Sequence, residues 1–305
     1  MAASRSDSTY TQYDTALKKW WKYCNNNGLD PFNYDVRNVL KFLSLEYQNG
    51  MAGGTLNSFR SAIAAIQGPQ LGEDINIRTF FRGIKNLRPS LPKYDVTWDP
   101  EIVLKYFKTL PNNEDLNLSE LSKKTITLLA STTAHRMQTF SLIKIENIEK
   151  SDQEKIIIKI PDRIKTSGKN AIQPSLQLPY YRQDPKICPA STVTAYLEQT
   201  KNIRNSSKNL FISCKSPHLP VTSQTLSKWV TKTMTSAGLN TEIFTAHSTR
   251  HAATSKAKRC DVSLDTIRKT ASWTPTSATF ARFYDRPLHE DRNTFATSIL
   301  ENRNQ

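Results

Sequence analysis

The sequence is poor in several things that would assign it to a familiar class. It has only four cysteines in 305 residues, Cys24, Cys188, Cys214 and Cys260. They lie too far apart to resemble a zinc motif or a compact disulfide framework, and they suit a reducing compartment. No apolar run reaches the length that spans a bilayer, and the opening Met-Ala-Ala-Ser-Arg-Ser-Asp-Ser-Thr lacks the apolar stretch of a secretory signal. A membrane partner is therefore not expected. Neither an internal repeat nor a low-complexity segment is present. Acidic side chains are in short supply too, 27 against 42 Lys and Arg, for a net charge of +15. That surplus attracts polyanions and makes nucleic acid the leading class of partner, without identifying it.

What is there suffices for a sizeable core. Hydrophobic residues make up 37% of the chain, and 305 residues can form one large domain or two ordinary ones. Tyr13, Leu17, Trp20 or Trp21, and Cys24 recur at helical spacing, followed by Val36, Val39, Leu40 and Leu43. After the break at Gly53-Gly54, Thr55 is placed to cap a third helix carrying Leu56, Phe59, Ile63 and Ile66, and Ile77 through Ile84 predicts a fourth. Residues 1–95 thus read as a small helical domain. Pro89, Pro92 and the polar run before Trp98 predict a linker, with a second domain over 96–305. The first segment carries 12 basic and 8 acidic residues and the second 30 and 19.

In the second domain the patterns predict helices over 102–110 and 121–133, then roughly 191–200, 223–237, 247–257 and 261–270. Strands are predicted at 155–160 and 176–178, with a basic loop between them. The class is mainly α, with a small antiparallel sheet making the second domain mixed α/β.

Four segments carry candidate chemistry. In His247-Ser-Thr-Arg250, one helical turn brings an imidazole and a guanidinium to the same face, where both can donate to one phosphate. Arg136 follows an apolar helix in Ala-Ser-Thr-Thr-Ala-His-Arg-Met, and its fork suits nonbridging phosphate oxygens. Lys165 lies in Ile-Lys-Thr-Ser-Gly-Lys between the predicted strands, where Gly168 permits a tight hairpin; Lys169 is the alternative. Trp273 and Tyr284 lie in the late run from Thr270 to Asp285. Each has a plain structural reading when taken alone: a buried histidine, a surface arginine, a solvated hairpin lysine, a tyrosine packed with Phe280 and Phe283. Lys256-Ala-Lys-Arg259 reads as the solvated face of a helix.

The order of these segments behind a basic helical domain resembles the tyrosine recombinases of the phage-integrase family, over nearly the whole chain. The matching stretches are STTAHRM, IKTSGK, HSTR, ASW and ATFARFY. The sequence especially resembles recombinases of eukaryotic mobile elements, with DIRS-like or Crypton-like elements as candidates, which implies DNA integration or excision, or transposition, in the nucleus. Two departures stand out. Thr139 occupies the place where the family commonly has an acidic residue, and Trp273 precedes Tyr284 by eleven positions, more than in many relatives.

The resemblance implies an N-terminal core-binding domain and a C-terminal catalytic domain, with the tail from Leu288 to Leu300 as a docking helix between protomers or, alternatively, a terminal helix packed on its own subunit. It implies attack by Tyr284 on a DNA phosphate, giving a 3′-phosphotyrosyl enzyme and a free 5′-hydroxyl. Arg136, Arg250 and His247 would stabilise the pentavalent phosphate, Trp273 would position an oxygen, and Lys165 would protonate the leaving group. No metal and no cofactor are implied. Double-stranded DNA is the implied partner, held in a clamp by the two basic domains, with a homo-oligomer on DNA, commonly a tetrameric synapse. Relaxation of DNA by a type IB topoisomerase and DNA binding without catalysis are the alternatives.

Overall fold

The computed structural model describes residues 7–89, 94–151, 154–164, 167, 173–274 and 276–288. The chain divides into two compact units, residues 1–91 and 92–305.

The first unit is helical: α1 (Asp7–Asn26), α2 (Val36–Gln48), α3 (Gly53–Gln67), the single turn α4 (Gln70–Glu73) and α5 (Ile75–Leu87). Aspartates start two of these helices. Asp35 accepts from the Arg37 and Asn38 N–H groups, and Asp74 from those of Asn76 and Ile77, so donors that no helix carbonyl reaches are satisfied. The core collects Ala16, Trp20 and Cys24 from α1, Phe42 and Leu43 from α2, and Leu56, Phe59 and Ile63 from α3. Trp20 is the buried tryptophan of its pair; Trp21 is 50% exposed. The Trp20 indole meets Phe42 edge-on at 5.2 Å and donates to the Pro31 carbonyl, so its one polar atom is paired inside the core. Burying a ring of this size stabilises the unit by about 2 to 3 kcal/mol. Thr55 does not cap α3. The helix starts two residues earlier, at Gly53 behind Ala52, and the Gly-Gly pair that reads as a break is its first turn.

The second unit is built round α7 (Leu118–Thr133), whose residues from Leu121 to Ala130 are all buried save Lys123. A capping box between Asn117 and Glu120 opens it. α9 (Pro189–Thr200), α10 (Ser223–Ser236) and α11 (Ser248–Arg259) pack against it. α6 (Glu101–Thr109), α8 (Met137–Ser141) and α12 (Leu264–Thr270) complete the helices. The sheet is antiparallel in the order β1 (Ile148–Ser151), β2 (Lys155–Lys159), β3 (Ser175–Pro179). Ile156 pairs with Leu178 and Ile158 with Leu176, and these alternate positions face the core. β1 is a third strand that the periodicity misses, because Ile-Glu-Lys-Ser has no apolar alternation.

Tyr94, placed by the sequence in the first segment, is buried in the core of the second unit. Its hydroxyl lies 2.6 Å from Thr245 Oγ1, and the Trp98 indole donates to Ser248 Oγ at 2.8 Å. Both contacts fix the start of α11. The Thr97 N–H donates to the Pro287 carbonyl at 2.8 Å, and Thr97 pairs with Leu288, so the last described residues return to the start of the unit. The docking helix expected after Leu288 falls outside the described residues. Among those described, no helix is long and apolar enough to cross a membrane, and no cluster of His, Cys, Asp or Glu could hold a metal ion. All four cysteines are free.

Candidate active site

Three backbone features converge on one pocket. α7 ends at Thr133, and Ala134 takes a left-handed conformation (φ 53°) that turns the chain so that Arg136 begins α8. His247 stands at the head of α11, one turn ahead of Arg250. α12 ends at Thr270, after which Ser272 (φ 51°) reverses the chain and the Trp273 N–H closes onto the Arg268 carbonyl at 2.8 Å. Tyr284 then arrives on a π-helical turn, Phe280–Tyr284, closed by the Asp285 N–H on the Phe280 carbonyl. Such turns are rare and concentrate at functional sites.

The Tyr284 hydroxyl lies 3.3 Å from His247 Nε2. The phenol ring is 7% exposed and is enclosed on several sides. His251 stacks on it with centroids 4.2 Å apart and planes 23° from parallel, and Trp273 leans on it at 4.9 Å and 51°. The Arg250 guanidinium lies 4.7 Å from the centroid of the Trp273 ring and 5.5 Å from that of Tyr284. Tyr284 also packs with Ile267 and Phe280 in a small cluster apart from the main core, so the core reading of this residue describes part of its surroundings.

Arg250 is 1% exposed, and no carboxylate among the described residues pairs with it. One terminal nitrogen, Nη2, donates to the Ala271 carbonyl at 2.6 Å, while Nε and Nη1 are buried without an acceptor among the described residues. Trp273 Nε1 is in the same condition. Buried donors are almost always paired, and each one left unpaired costs roughly 1 to 3 kcal/mol. Burial first, then the charge of Arg136, lower the Arg250 pKa to about 10, with Tyr284 working the other way. Arg136 is half-buried, and its charge also acts on the neighbouring His135. Burial, then Arg250, then Arg136 push His135 down to about 3, so it sits beside the two guanidiniums as a neutral ring.

Of the six residues singled out in the sequence, Arg136, His247, Arg250, Trp273 and Tyr284 thus come together. Lys165 and its alternative Lys169 lie outside the described residues. Thr139, standing where the family commonly has a carboxylate, is buried in α8 with its N–H on the Arg136 carbonyl. The sequence reading passed over His135 and His251. His251 immediately follows the HSTR stretch and lies four residues beyond His247, the spacing that returns a side chain to the same helix face.

The helical architecture, the small antiparallel sheet and the late tyrosine turned onto a His-x-x-Arg helix start together define the tyrosine-recombinase fold. The sequence matches the Phage integrase family over residues 104–291, well over half of the chain, and the chain belongs to that family. Solved structures share the fold at low identity. The XerH site-specific recombinase on palindromic difH DNA, in its post-cleavage complex, gives a TM-score of 0.63 at 18% identity, over 95% of this chain and 79% of that one. The Tn1549 transposon integrase with circular-intermediate DNA gives 0.59 at 12%, over 92% and 90%. A lambda integrase tetramer on a Holliday junction gives 0.54 at 14%, over 93% and 74%. No curated protein sequence matches significantly.

Proposed function

We propose that the chain breaks and rejoins duplex DNA, with Tyr284 as the nucleophile. One observation carries this reading: the Tyr284 hydroxyl, in hydrogen-bond reach of His247, shares its pocket with three buried N–H donors that have no acceptor among the described residues, two on Arg250 and one on Trp273. Fixed donors without carboxylates suit an oxyanion, and a phosphodiester approaching Tyr284 supplies nonbridging oxygens for them. Membership of the phage integrase family supports DNA as the substrate, as does the net charge of +15.

In the proposed step the phenol oxygen bonds to phosphorus and the bond to the 5′-oxygen breaks, leaving a 3′-phosphotyrosyl protein and a 5′-hydroxyl. The phenol proton passes to His247 Nε2, and Lys165 protonates the leaving oxygen. Arg136 and Arg250 hold the charge that builds on the phosphate. A 5′-hydroxyl from another strand reverses the step at a new junction. Because the linkage energy is kept in the covalent intermediate, no nucleotide cofactor is needed. The helical first unit would add grip on the duplex, and assembly of several copies on DNA is the expected working form. DIRS-like or Crypton-like mobile elements, acting in the nucleus, are the finer assignment, resting on the likeness of the sequence alone.

The test is covalent trapping. A pool of nicked suicide duplexes, randomised in sequence, should yield a denaturation-resistant adduct whose peptide map ends on Tyr284. The Tyr284→Phe variant should give none at equal DNA occupancy. An adduct on another residue overturns the assignment. Exchange between two marked duplexes then separates recombination from simple relaxation.

A further inference from the structure

His247, His251 and Ser255 recur at intervals of four along one face of α11, and each meets a different part of the Tyr284 turn. His247 faces the hydroxyl, His251 covers the ring, and the Ser255 hydroxyl donates to the Tyr284 carbonyl at 2.6 Å while accepting from the Arg286 N–H at 3.2 Å. The first contact is with the reacting atom. The other two touch only the scaffold that aims it.

We propose that His251 is a positioning residue for the Tyr284 nucleophile: its imidazole, packed face to face with the phenol, sets the angle at which the hydroxyl meets the phosphate. The proposal rests on the functional reading given above. In-line attack needs the reacting atoms close and their orbitals aligned, and a misplacement of about 1 Å can cost on the order of a hundredfold in rate. The ring of a tyrosine at the end of a short π-helical turn is aimed by whatever packs against it. On the His251 side that packing is a stack. His251 is itself held, since Tyr94 meets it edge-on at 5.1 Å, and Tyr94 is tied to Thr245 through its hydroxyl. Tyr94, Thr245, His251 and Tyr284 thus form one connected series of contacts.

The electrostatics separate this role from proton transfer. Burial first, then His247, Arg286 and Arg250, lower the His251 pKa to about 3, with a hydrogen bond to the Phe283 backbone working the other way. At neutral pH the ring is uncharged, so it stacks on the phenol without adding another cation to the pocket. It also carries no labile proton suited to acid catalysis. Its contribution is therefore shape and contact, which an aromatic replacement can reproduce and a polar one cannot.

The experiment uses the full chain and one suicide duplex recovered from parental adducts out of the randomised pool. Single-turnover cleavage is measured at matched DNA occupancy for the parent, His251→Ala, His251→Gln and His251→Phe, alongside thermal unfolding. His251→Ala and His251→Gln should cleave about ten- to a hundredfold more slowly with DNA affinity unchanged, and His251→Phe should recover most of the loss. Should His251→Ala fail to fold, the comparison of Gln with Phe carries the same test. Parental rates in His251→Ala, or equal losses in Gln and Phe, overturn the proposal while leaving Tyr284 as nucleophile. A parental adduct on another residue overturns the functional reading, and this one with it.

Discussion

Arg250 Nη2 is bonded to the carbonyl of Ala271, just past the end of α12. The bond spends one edge of the guanidinium on the protein, while Nε and Nη1, buried beside the Trp273 and Tyr284 rings, have no acceptor among the described residues. A lysine here would keep the charge and could reach the carbonyl, but it has no rigid fork to present at the same time. Arg250→Lys should therefore cleave about a hundred- to a thousandfold more slowly, the loss typical of removing an oxyanion donor, with DNA affinity nearly unchanged. Single-turnover cleavage and a binding titration on the same duplex check both halves. Parental cleavage would remove Arg250 from the chemistry.

The Tyr284 hydroxyl lies 3.3 Å from His247 Nε2 and the Tyr284 ring 5.5 Å from the Arg250 guanidinium of the same chain, so each site should be built from one subunit. Mixing Tyr284→Phe with Arg250→Ala should therefore restore no adduct. Cleavage in the mixture, measured with a labelled suicide duplex, would mean that the tyrosine is delivered to a neighbouring subunit.

Lys165 follows Ile164, a buried residue after β2, and its proposed task is to protonate the leaving 5′-oxygen. Lys165→Ala should be slow on ordinary DNA, by about a hundredfold or more, and should recover on DNA whose bridging 5′-oxygen is sulfur, which leaves without a proton. Failure to recover with binding intact would move the acid to Lys169 or make Lys165 a positioning group.

His135 and His251 are both held near pKa 3 in the fold, against about 6.5 when the chain is unfolded. Between those values the unfolded chain binds more protons, so stability is full above about pH 6.5 and falls as the pH drops. Each histidine contributes a loss of roughly 1.4 kcal/mol per pH unit in that window. Urea unfolding at pH 7 and pH 5 should show the fall, and a neutral replacement such as His135→Gln should flatten it. An unchanged slope in that variant would mean that acid acts elsewhere.

Most helices are legible because their apolar residues repeat at the helical period, whereas the caps are not: Thr55 lies inside α3, and Asp35 and Asp74 open α2 and α5. Failures came where tertiary contacts override local pattern. β1 exists because β2 pairs with it, and nothing in Ile-Glu-Lys-Ser announces it. Gly53 and Gly54 look like a break but lie inside a helix held by its packing. At the site, residue order and the helical spacing of His247 and Arg250 could be read along the chain. The stacking of His251, the turn at Ala134 and the π-helical arrival of Tyr284 depend on residues far apart in sequence, which a linear pattern does not encode.

Thr97 and Pro287 give the pocket a further property. Their hydrogen bond lies three residues beyond Tyr284, and the Ser255 hydroxyl grips the Tyr284 carbonyl itself. Tyr284 thus rides on a short leash, fastened at its own backbone and again at the start of the second unit. For its Cα to travel, the Ser255 bond has to open, and any longer excursion has to undo the Thr97 bond as well. The leash acts as a two-stage latch: the first stage lets the tyrosine shift, and the second lets it leave.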